Sequence, residues 1–492
     1  MSRRSAYAAA PIVLALCAAL WAAQPPASDA LASIRREGLD RSQVLAMFST
    51  LTDQVGPRLT GSPAHKEAAG WARDRLRSFG LTDAALEPWP FGRGWVLDRS
   101  IVELVEPRYM PLIGYAEAWS PSTNGDIVAQ PIMIGGQTPA DVQTMRDQLR
   151  GAIVLTQPPA QFIREDRPQP TASDAPVRIG APPNPGPRTN PADARAIAAT
   201  LHEAGVAVAV RTSAGEHGTV FVLGRDQHET AVPTIVLAGE HYNMIARMLA
   251  RGMRVKLRVN LQAHYVTDDP KSYNVVASIP GGDAQVKDDV VLLGAHLDSW
   301  HTGTGASDNA DGASAVLEAA RILQAVGARP RRTIRVALWG GEEEGLLGSK
   351  AYVQRHLAGD ANKAARDHLF VYLNLDPGTG PIYGWYLEDS PGVKPLFDAW
   401  LAPLADLGMR RNVMPGIGNT DHLSFRAVGV PGFNAIQEYA DYDVRMHHTN
   451  VDTYERVREE DLKQNAIVLA WFALQAANTN EPIARPGEAR GQ

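Results

Sequence analysis

From Asn274 to about residue 478, short apolar runs alternate with segments of helical periodicity, and this alternation most limits the folds open to the chain. Runs such as Val290-Val-Leu-Leu293 are short and continuously apolar, which is typical of strands buried on both faces. The strand candidates are 274–279, 290–295, 333–339, 369–375 and 432–437, and the helix candidates are 309–326, 345–358, 394–407 and 459–476. Because strands that alternate with helices form βαβ units, the pattern predicts an α/β fold with a mostly parallel or mixed central sheet flanked by helices.

The segment 109–265 differs from the rest of the chain. Short β-like runs alternate there with helical pieces, and 158–190 is rich in Pro, Arg and Asp, which indicates a long exposed loop. We therefore expect a β-rich inserted domain that divides the main domain into residues 31–108 and 266–478. The tail 479–492 is polar and contains Pro and Gly, so we expect it to be disordered.

The N-terminus resembles a secretory signal peptide. Arg3 and Arg4 precede an apolar run from Ala8 to Ala23, and small residues lie near its end. This run is short for a membrane span, and no later stretch reaches about 18 apolar residues. We expect residues 1–23 to be removed, which gives an exported, periplasmic or extracellular protein without a stable membrane span; an uncleaved anchor is the alternative.

The mature chain would contain no cysteine, because Cys17, the only one, lies inside the predicted signal peptide. Disulfides, cysteine nucleophiles and thiolate metal ligands are thereby excluded. The net charge is −6 and no five like charges follow one another, so we expect no nucleic-acid partner. Any bound metal must be held by His, Asp and Glu.

Polar residues follow the strand candidate 290–295 directly. His296 and Asp298 are two residues apart, so they point to the same side of an extended backbone. One of them can bind a metal while the other holds the imidazole from behind. Since ligands in open α/β sheets bind at the carboxyl ends of strands, this position suits a functional site.

Other potential ligands also lie beside predicted strands or helices. They are Asp308, the run Glu342-Glu343-Glu344, Asp376 and the pair His447-His448. Each has an ordinary structural explanation when taken alone, such as an acidic first helical turn or a turn-forming Asp. Together, two histidines and three or four carboxylates suit two divalent ions that share a carboxylate. Two metal ions held in this way activate a water and polarise a carbonyl.

The order of these motifs resembles the co-catalytic zinc exopeptidases. The motifs are His-x-Asp at 296, Gly-x-x-Asp-Asn-x-x-Gly at 305, Glu-Glu-x-Gly-Leu-x-Gly-Ser at 342, Leu-Asp at 375 and His-Thr-x-x-Asp-Thr at 448. The family includes secreted bacterial leucyl aminopeptidases and the plasma glutamate carboxypeptidase group. Val55-Gly-Pro-Arg-Leu-Thr-Gly-Ser62 is most similar to the second group, and the inserted region resembles a protease-associated domain. The resemblance covers about residues 40–475.

The resemblance implies two zinc ions and a ligand for each position. Asp308 would bridge both ions. Glu343 and His448 would complete one site, and His296 and Asp376 the other. In this family the peptide bond after the bridging Asp is often cis, so we expect a cis Asp308–Asn309 bond.

The resemblance also implies catalytic roles. Glu342 would be the general base that takes a proton from the attacking water and passes it to the leaving amine, while Asp298 would support His296. The secreted aminopeptidases place a tyrosine where this chain has Ile417, so the oxyanion must be stabilised by another group, and we assign this role to His447. His301 stands where the second group has Asp.

The expected activity is hydrolysis of a peptide or dipeptide near a free terminus, with aminopeptidase favoured over carboxypeptidase or dipeptidase. Candidates for holding a substrate amine are Glu438, Asp441 and Asp443, and candidates for a terminal carboxylate are Arg411, Arg426 and Arg445. A non-catalytic binding module on this fold is the alternative of a different class, and a single-zinc acyltransferase such as a glutaminyl cyclase is a third. The complete set of ligands and the base favour the exopeptidase.

Overall fold

The structure is a computed structural model, and it describes residues 27–170 and 190–487. The predicted signal peptide, residues 1–23, lies outside these residues. Within the described part, no helix combines the length and the apolar character that crossing a membrane requires.

The strands of the described part form three sheets. They are β1 (Thr82–Pro90), β2 (Gly94–Glu106), β3 (Met110–Pro111), β4 (Gly114–Ala116), β5 (Ile127–Ala129), β6 (Pro131–Met133), β7 (Ile153–Leu155), β8 (Val208–Thr212), β9 (Thr234–Leu237), β10 (Lys256–Val266), β11 (Lys271–Ile279), β12 (Val290–His296), β13 (Thr333–Trp339), β14 (Leu369–Asn374), β15 (Thr379–Tyr386) and β16 (Gly432–Glu438).

The α-helices of the described part lie mostly between these strands. They are α1 (Ala27–Asp40), α2 (Val44–Ser49), α3 (Pro63–Ser78), α4 (Pro139–Thr144), α5 (Arg146–Leu149), α6 (Pro191–Ala204), α7 (Gly239–Ala250), α8 (Asp311–Ala325), α9 (Leu347–His356), α10 (Lys363–His368), α11 (Lys394–Leu401), α12 (His422–Arg426) and α13 (Glu459–Asn478). Shorter π-helical turns at Ala306–Ala310 and Tyr442–Met446 carry residues of the site described below.

The main sheet has seven strands in the order β1-β11-β13-β12-β14-β16-β15. The pairs β13-β12, β12-β14 and β14-β16 are parallel, and the outer pairs are antiparallel. This confirms the predicted α/β class with a mixed central sheet. The antiparallel strand β15 was not among the sequence-based candidates.

Helices cover both faces of the main sheet. Val291 and Leu293 of β12 pack in the core that contains α8 and α13, whereas Leu292 packs in the opposite core with Tyr352 of α9 and Phe425 of α12. Successive side chains of a strand point to opposite faces, so a strand covered on both sides is apolar throughout. This explains the continuous apolar run at 290–293.

The inserted region lies between β1 and β11, which are neighbours in the main sheet. It contains an antiparallel sheet, β3-β2-β10-β5, and a five-stranded sheet, β4-β9-β8-β7-β6. β2 pairs with β10 from Gly94↔Val266 to Glu106↔Lys256. The structure thus differs from the expected boundary at residue 109, because β2 belongs to the inserted region and not to the main domain.

The two predicted irregular segments have different outcomes. Residues 158–170 form no helix or strand, and 171–189 lie outside the described part. The tail is ordered as far as residue 487, since Ile483 is buried and the Arg485 guanidinium donates to the carbonyl of Asp367 over 2.7 Å. Residues 479–487, which we expected to be disordered, contain a buried apolar side chain and an arginine that donates to backbone carbonyls of the main domain. Residues 488–492 lie outside the described part.

Candidate metal centre

The carboxyl ends of three neighbouring strands bring the predicted ligands together. β12 lies between β13 and β14 and runs parallel to both, so the three strands end at the same edge of the sheet. His296 is the last residue of β12, Glu343 follows β13, and Asp376 follows β14. Residues far apart in sequence thereby meet where α/β folds usually bind ligands.

Asp308 lies at the middle of the cluster. Its Oδ1 is 3.1 Å from Nε2 of His296, and its Oδ2 is 3.4 Å from Nε2 of His448. The Asp452 carboxylate fixes the turn that carries it by accepting hydrogen bonds from the backbone N–H groups of Ser307 (2.7 Å) and Asp308 (3.2 Å). The peptide bond after Asp308 is cis, as the resemblance led us to expect.

The first half of the cluster contains His296 and Asp376. Nε2 of His296 is 3.7 Å from Oδ1 of Asp376, and these two residues and Asp308 can offer ligand atoms within 4.8 Å of one another. Nδ1 of His296 lies 3.0 Å from the backbone carbonyl oxygen of Asp298 and 3.6 Å from its carboxylate. The imidazole is therefore supported by Asp298, with the backbone carbonyl as the closer group.

The Asp298 carboxylate also supports the glutamate turn. It accepts hydrogen bonds from the backbone N–H groups of Glu342 (3.3 Å) and Glu343 (3.2 Å) and from the hydroxyl of Thr60 (3.0 Å). One buried carboxylate thus links the strand end that carries His296 to the turn that carries the predicted base and a predicted ligand. Of these contacts, only the one with His296 is predictable from the sequence.

The second half of the cluster contains Glu343 and His448. Oε2 of Glu343 is 2.9 Å from Nε2 of His448. The ring of His447 lies 3.6 Å from that of His448, measured between centroids, and stacks on Tyr442 with centroids 5.1 Å apart. His448 has φ +61°, in the left-handed region that residues other than glycine rarely adopt. All the predicted ligands and His447 therefore lie in one cluster.

The donor set fits a shared divalent cation. Three buried polar atoms of the cluster have no hydrogen-bond partner: Nε2 of His296, Oδ2 of Asp308 and Oε1 of Glu343. Buried polar atoms are nearly always satisfied, and unpaired ones that converge on one region suggest an ion. Imidazole nitrogens and carboxylate oxygens without thiolates suit zinc and harder divalent ions. An open space of about 170 Å³ borders Asp308, Glu343 and His448.

Glu342 is buried beside these ligands. Burial raises its pKa well above the ordinary value; His296 opposes this rise, and the carboxylates of Asp376 and Asp421 add to it. A carboxyl group whose pKa is raised is better suited to donating as well as accepting a proton. The pKa of Glu344 is also raised well above its ordinary value by burial and by Asp298.

Arg58 is a supporting residue whose role the sequence analysis did not identify. Its guanidinium is fully buried and donates to the carbonyls of Leu297 (2.7 Å), Thr304 (2.9 Å) and Gly305 (2.9 Å), in the loops beside His296 and Asp308. Burial lowers its pKa to about 10. The sequence feature that could have pointed to Arg58 is the segment Val55–Ser62, which carries part of the family resemblance. Its spacing alone gives no indication of these long-range contacts.

Asp421 is a second buried group outside the predicted set. Neither of its carboxylate oxygens has a hydrogen-bond partner, and burial raises its pKa to about 7. The neighbouring His422 lies 2.9 Å from the Glu388 carboxylate. The pair follows Ile417, which stands where the secreted aminopeptidases have a tyrosine.

Several charged candidates for holding a substrate terminus have other partners. Asp443 forms a buried ion pair with Arg167 (2.7 Å), and Arg426 lies 3.5 Å from the Glu388 carboxylate. The other candidates also contact protein groups: Arg411 donates to the carbonyl of Pro170, Arg445 to that of Glu216, Asp441 lies 3.9 Å from Arg445, and Glu438 accepts from the hydroxyl of Tyr383. His301 lies outside the cluster, with Nε2 2.8 Å from the carbonyl oxygen of Ala116 in the inserted region.

Comparison with known proteins places this site in a family. The family model "Peptidase family M28" matches residues 274–473. Carboxypeptidase Q of Bos taurus is 26% identical over 444 residues, which cover 89% of this chain and 86% of the relative. An aminopeptidase of Pseudomonas aeruginosa is 37% identical over 165 residues, which cover 32% of this chain and 29% of the relative.

A solved structure supports the same conclusion. The crystal structure of a peptidase M28 precursor from Shewanella amazonensis has a TM-score of 0.72 and 28% identity, and the match covers 93% of this chain and 98% of that chain. Fold, motif order and the converging ligand cluster define a metallopeptidase of the exopeptidase type. Residues 274–473 match peptidase family M28, and the relatives found here include both carboxypeptidases and aminopeptidases.

Proposed function

We propose that this chain is an exported exopeptidase that uses two zinc ions and prefers substrates with a free amino terminus. The observation that carries the proposal is the position of Asp308, whose two carboxylate oxygens face two different histidines, His296 at 3.1 Å and His448 at 3.4 Å. Each histidine has its own second carboxylate, Asp376 or Glu343. A shared carboxylate between two such pairs is the arrangement that a two-ion site requires.

The residues fall into two ligand groups that share Asp308. His296 and Asp376 would hold one ion, and Glu343 and His448 would hold the other. When bound, the two ions supply a nucleophilic water at neutral pH and polarise the scissile carbonyl. The protein contributes the geometry, because Asp298 contacts the imidazole of His296 and holds the backbone of Glu343, and Asp452 holds the backbone of Asp308.

Glu342 would act as the general base. Its side chain is buried, and burial together with neighbouring carboxylates raises its pKa well above the ordinary value. A carboxylate of this kind can accept a proton from the attacking water and deliver it to the leaving amine, so one group serves both halves of the reaction. The hydrogen bond from its backbone N–H to Asp298 fixes the turn on which it stands.

His447 would stabilise the developing oxyanion. Burial and the neighbouring His448 lower its pKa well below the ordinary value, so the imidazole is neutral and can donate one N–H. Its stacking on Tyr442 limits rotation of the ring. A donor held in place beside the reacting carbonyl stabilises negative charge as that charge develops.

We favour aminopeptidase over carboxypeptidase activity because of the partners of the candidate cations. A carboxypeptidase needs a cation for the terminal carboxylate of its substrate. The guanidinium groups of Arg411, Arg426 and Arg445 each donate to a backbone carbonyl of this chain. A free amine can instead bind to carboxylates, which dominate the cluster.

The test is a panel of dipeptides that are free, N-blocked or C-blocked, each assayed before and after complete chelation of metal. We expect hydrolysis of free and C-blocked substrates, no hydrolysis of N-blocked ones, and loss of all activity on chelation with recovery on adding zinc. Cleavage of N-blocked but not C-blocked substrates would reassign the protein as a carboxypeptidase. Hydrolysis that survives complete metal removal would refute the metal-dependent mechanism.

Export is the part of the proposal that rests on sequence alone, since residues 1–23 lie outside the described part. We propose cleavage of this segment and release of the chain into the periplasm or the medium. N-terminal sequencing of the protein recovered from each cell fraction tests this. An intact Met1 on membrane-bound protein would favour the uncleaved anchor instead.

A further inference from the structure

The loop that carries His447 and His448 is bound on two sides by the inserted region. On one side, the backbone N–H of Val222 donates to the carbonyl of His448 over 3.0 Å, and Phe221 forms an isolated β-bridge with Thr449. On the other side, the irregular segment 163–170 lies along the π-helical turn Tyr442–Met446. A ligand of the main domain is thus held by a part of the chain that lies outside the main sheet.

The strongest contact between these two parts is the ion pair of Arg167 and Asp443. Nη2 of Arg167 donates to Oδ1 of Asp443 over 2.7 Å, and Nε donates to Oδ2 over 2.9 Å, while the backbone N–H of Arg167 donates to the same carboxylate over 2.8 Å. Only 8% of the Arg167 side chain and 3% of the Asp443 side chain are exposed. Two-point pairing fixes the orientation of both partners, which a single contact does not.

The same arginine contacts the aromatic residues beside the histidines. The guanidinium carbon of Arg167 lies 4.8 Å from the ring centre of Tyr439 and 5.4 Å from that of Tyr442. Tyr442 stacks on His447, whose ring lies 3.6 Å from that of His448. Arg167 therefore contacts the loop through Asp443 and through a row of adjacent rings that ends at the predicted ligand His448.

The preceding residue adds backbone contacts. The Asp166 carboxylate accepts hydrogen bonds from the backbone N–H groups of Asp441 (2.8 Å) and Val444 (3.0 Å). These bonds hold the start and the middle of the turn, and Arg167 holds the carboxylate of Asp443 between them. The segment thus fixes the backbone that leads to His448, whose φ of +61° needs support from its surroundings.

We propose that Arg167 of the inserted region is a positioning residue for the metal ion bound by Glu343 and His448. The inserted region would then complete the active site, in addition to any role in covering it. The inference rests on the proposed two-ion function, because it concerns how one of the two ions is held. His296 and Asp376 stand on the main sheet and have no such dependence.

The experiment measures zinc affinity by competition with a chromogenic chelator, without a peptide substrate. In Arg167→Met we expect the affinity for one of the two ions to fall by about 10–100-fold, the usual effect of removing a group that orients a metal ligand. His448→Ala identifies which ion belongs to the affected half. The matched control is Arg164→Met. Arg164 lies in the same segment, and its substitution removes an exposed ion pair with Glu216, so both affinities should be unchanged.

Two further variants guard against misfolding. Arg167→Lys keeps the charge but cannot form the two-point contact, so we expect a smaller loss at the same ion. In the double variant Arg167→Met/Asp443→Asn, the loss should be no greater than the larger of the two single losses, because both changes break one contact. Circular dichroism and the thermal midpoint report the fold of each variant independently.

The outcomes separate this inference from the proposed function. Wild-type affinity for both ions in folded Arg167→Met, or in Arg167→Lys if the first variant does not fold, overturns the inference and leaves the function intact. An equal loss at both ions also overturns it, since the effect would then be general. If the wild-type chain binds fewer than two zinc ions, the proposed function fails, and the inference fails with it.

Discussion

The two halves of the metal centre are built in different ways. His296 and Asp376 stand at the ends of β12 and β14, neighbouring parallel strands of the main sheet, and the side chain of His296 is fully buried. His448 stands on a loop, with 23% of its side chain exposed and a left-handed backbone, and the inserted region holds that loop. The positions of His296 and Asp376 therefore follow from the sheet, whereas the position of His448 depends on contact between the main domain and the inserted region.

This difference determines how easily the ligands of each half can move. A ligand at the end of a buried strand can move only if the sheet core moves, and such cores are closely packed. A ligand on a loop moves with whatever holds the loop, which here includes Arg167 and Val222. The two proposed ions should therefore respond differently to substitutions, and Asp308 and Asp298 are the residues that connect the two halves.

The largest effect is expected from Asp308→Asn, which changes the residue common to both halves. An amide has the size of the carboxylate but cannot provide two anionic oxygens, so both ions should bind more weakly and peptidase activity should fall to background. Metal content after gel filtration, measured together with activity, checks this.

Asp311→Asn provides the matched control, because the buried Asp311 accepts a hydrogen bond from Gln437 and has a pKa raised well above its ordinary value by burial. An amide has the size of this carboxylate and keeps an oxygen that can accept from Gln437, and Asp311 is not among the predicted ligands, so both ions should be kept. Loss of only one ion in Asp308→Asn would contradict the bridging role.

Glu342→Gln should affect the chemical step and leave both halves intact. We expect two bound ions and a rate lower by roughly 10²–10⁴-fold, the usual contribution of a general base. The measurements are kcat on a dipeptide and metal content of the same sample. Near wild-type kcat would reassign the base, and Glu344→Gln, which changes the neighbouring buried carboxyl, would identify the alternative.

Asp298→Asn should weaken both halves to a smaller extent. The Asp298 carboxylate lies 3.6 Å from Nδ1 of His296 in the first half and accepts from the backbone N–H of Glu343 in the second. We expect a loss of about 10–100-fold in zinc affinity at both ions, the range for a group that orients metal ligands. This contrasts with Arg167→Met, for which only one ion should be affected. A loss confined to the ion of His296 would mean that the contact with the glutamate turn has no effect.

Much of the main domain could be predicted because its signals are local. The apolar strands and the helices between them define the sheet, and the strand-end positions of His296 and Asp376 follow directly. The cis bond after Asp308 and the order of the motifs came from the resemblance. The family and the α/β class were confirmed by the comparisons, while the roles of the individual residues stay predictions.

Long-range partners could not be predicted, because no local pattern records them. Arg58 binds backbone carbonyls more than 200 residues away, and Arg167 pairs with Asp443 across 276 positions. The predicted boundary places β2 in the main domain, because the alternation of apolar and polar residues in a strand does not indicate which strand it pairs with. Asp443 was considered as a ligand for a substrate amine, but its partner is an arginine of the inserted region.

The smallest effect at neutral pH is expected at a second contact between the two regions, formed by His301. Its Nε2 lies 2.8 Å from the Ala116 carbonyl oxygen, and its ring packs edge-on against Trp95. Burial lowers its pKa to about 4, below the ordinary value of 6.5. Between pH 6.5 and 4 the unfolded chain therefore binds a proton that the folded chain does not, so the folded state loses stability as the pH falls and the loss stops below about pH 4.

His301→Gln should remove this contribution, because an amide can donate to Ala116 and does not titrate. We expect little change in the free energy of unfolding at pH 7, and a gain of roughly 2–3 kcal/mol relative to wild type near pH 4. Urea unfolding of both proteins at several pH values and equal metal loading measures this difference. Metal dissociation affects both proteins equally and therefore cancels. His65 is buried with a similarly lowered pKa of about 4 and stays in both chains, so part of the acid sensitivity should persist. Parallel curves from pH 7 to 4 would mean that His301 is protonated in the folded state, and that the contact between the regions does not exclude the charged imidazole.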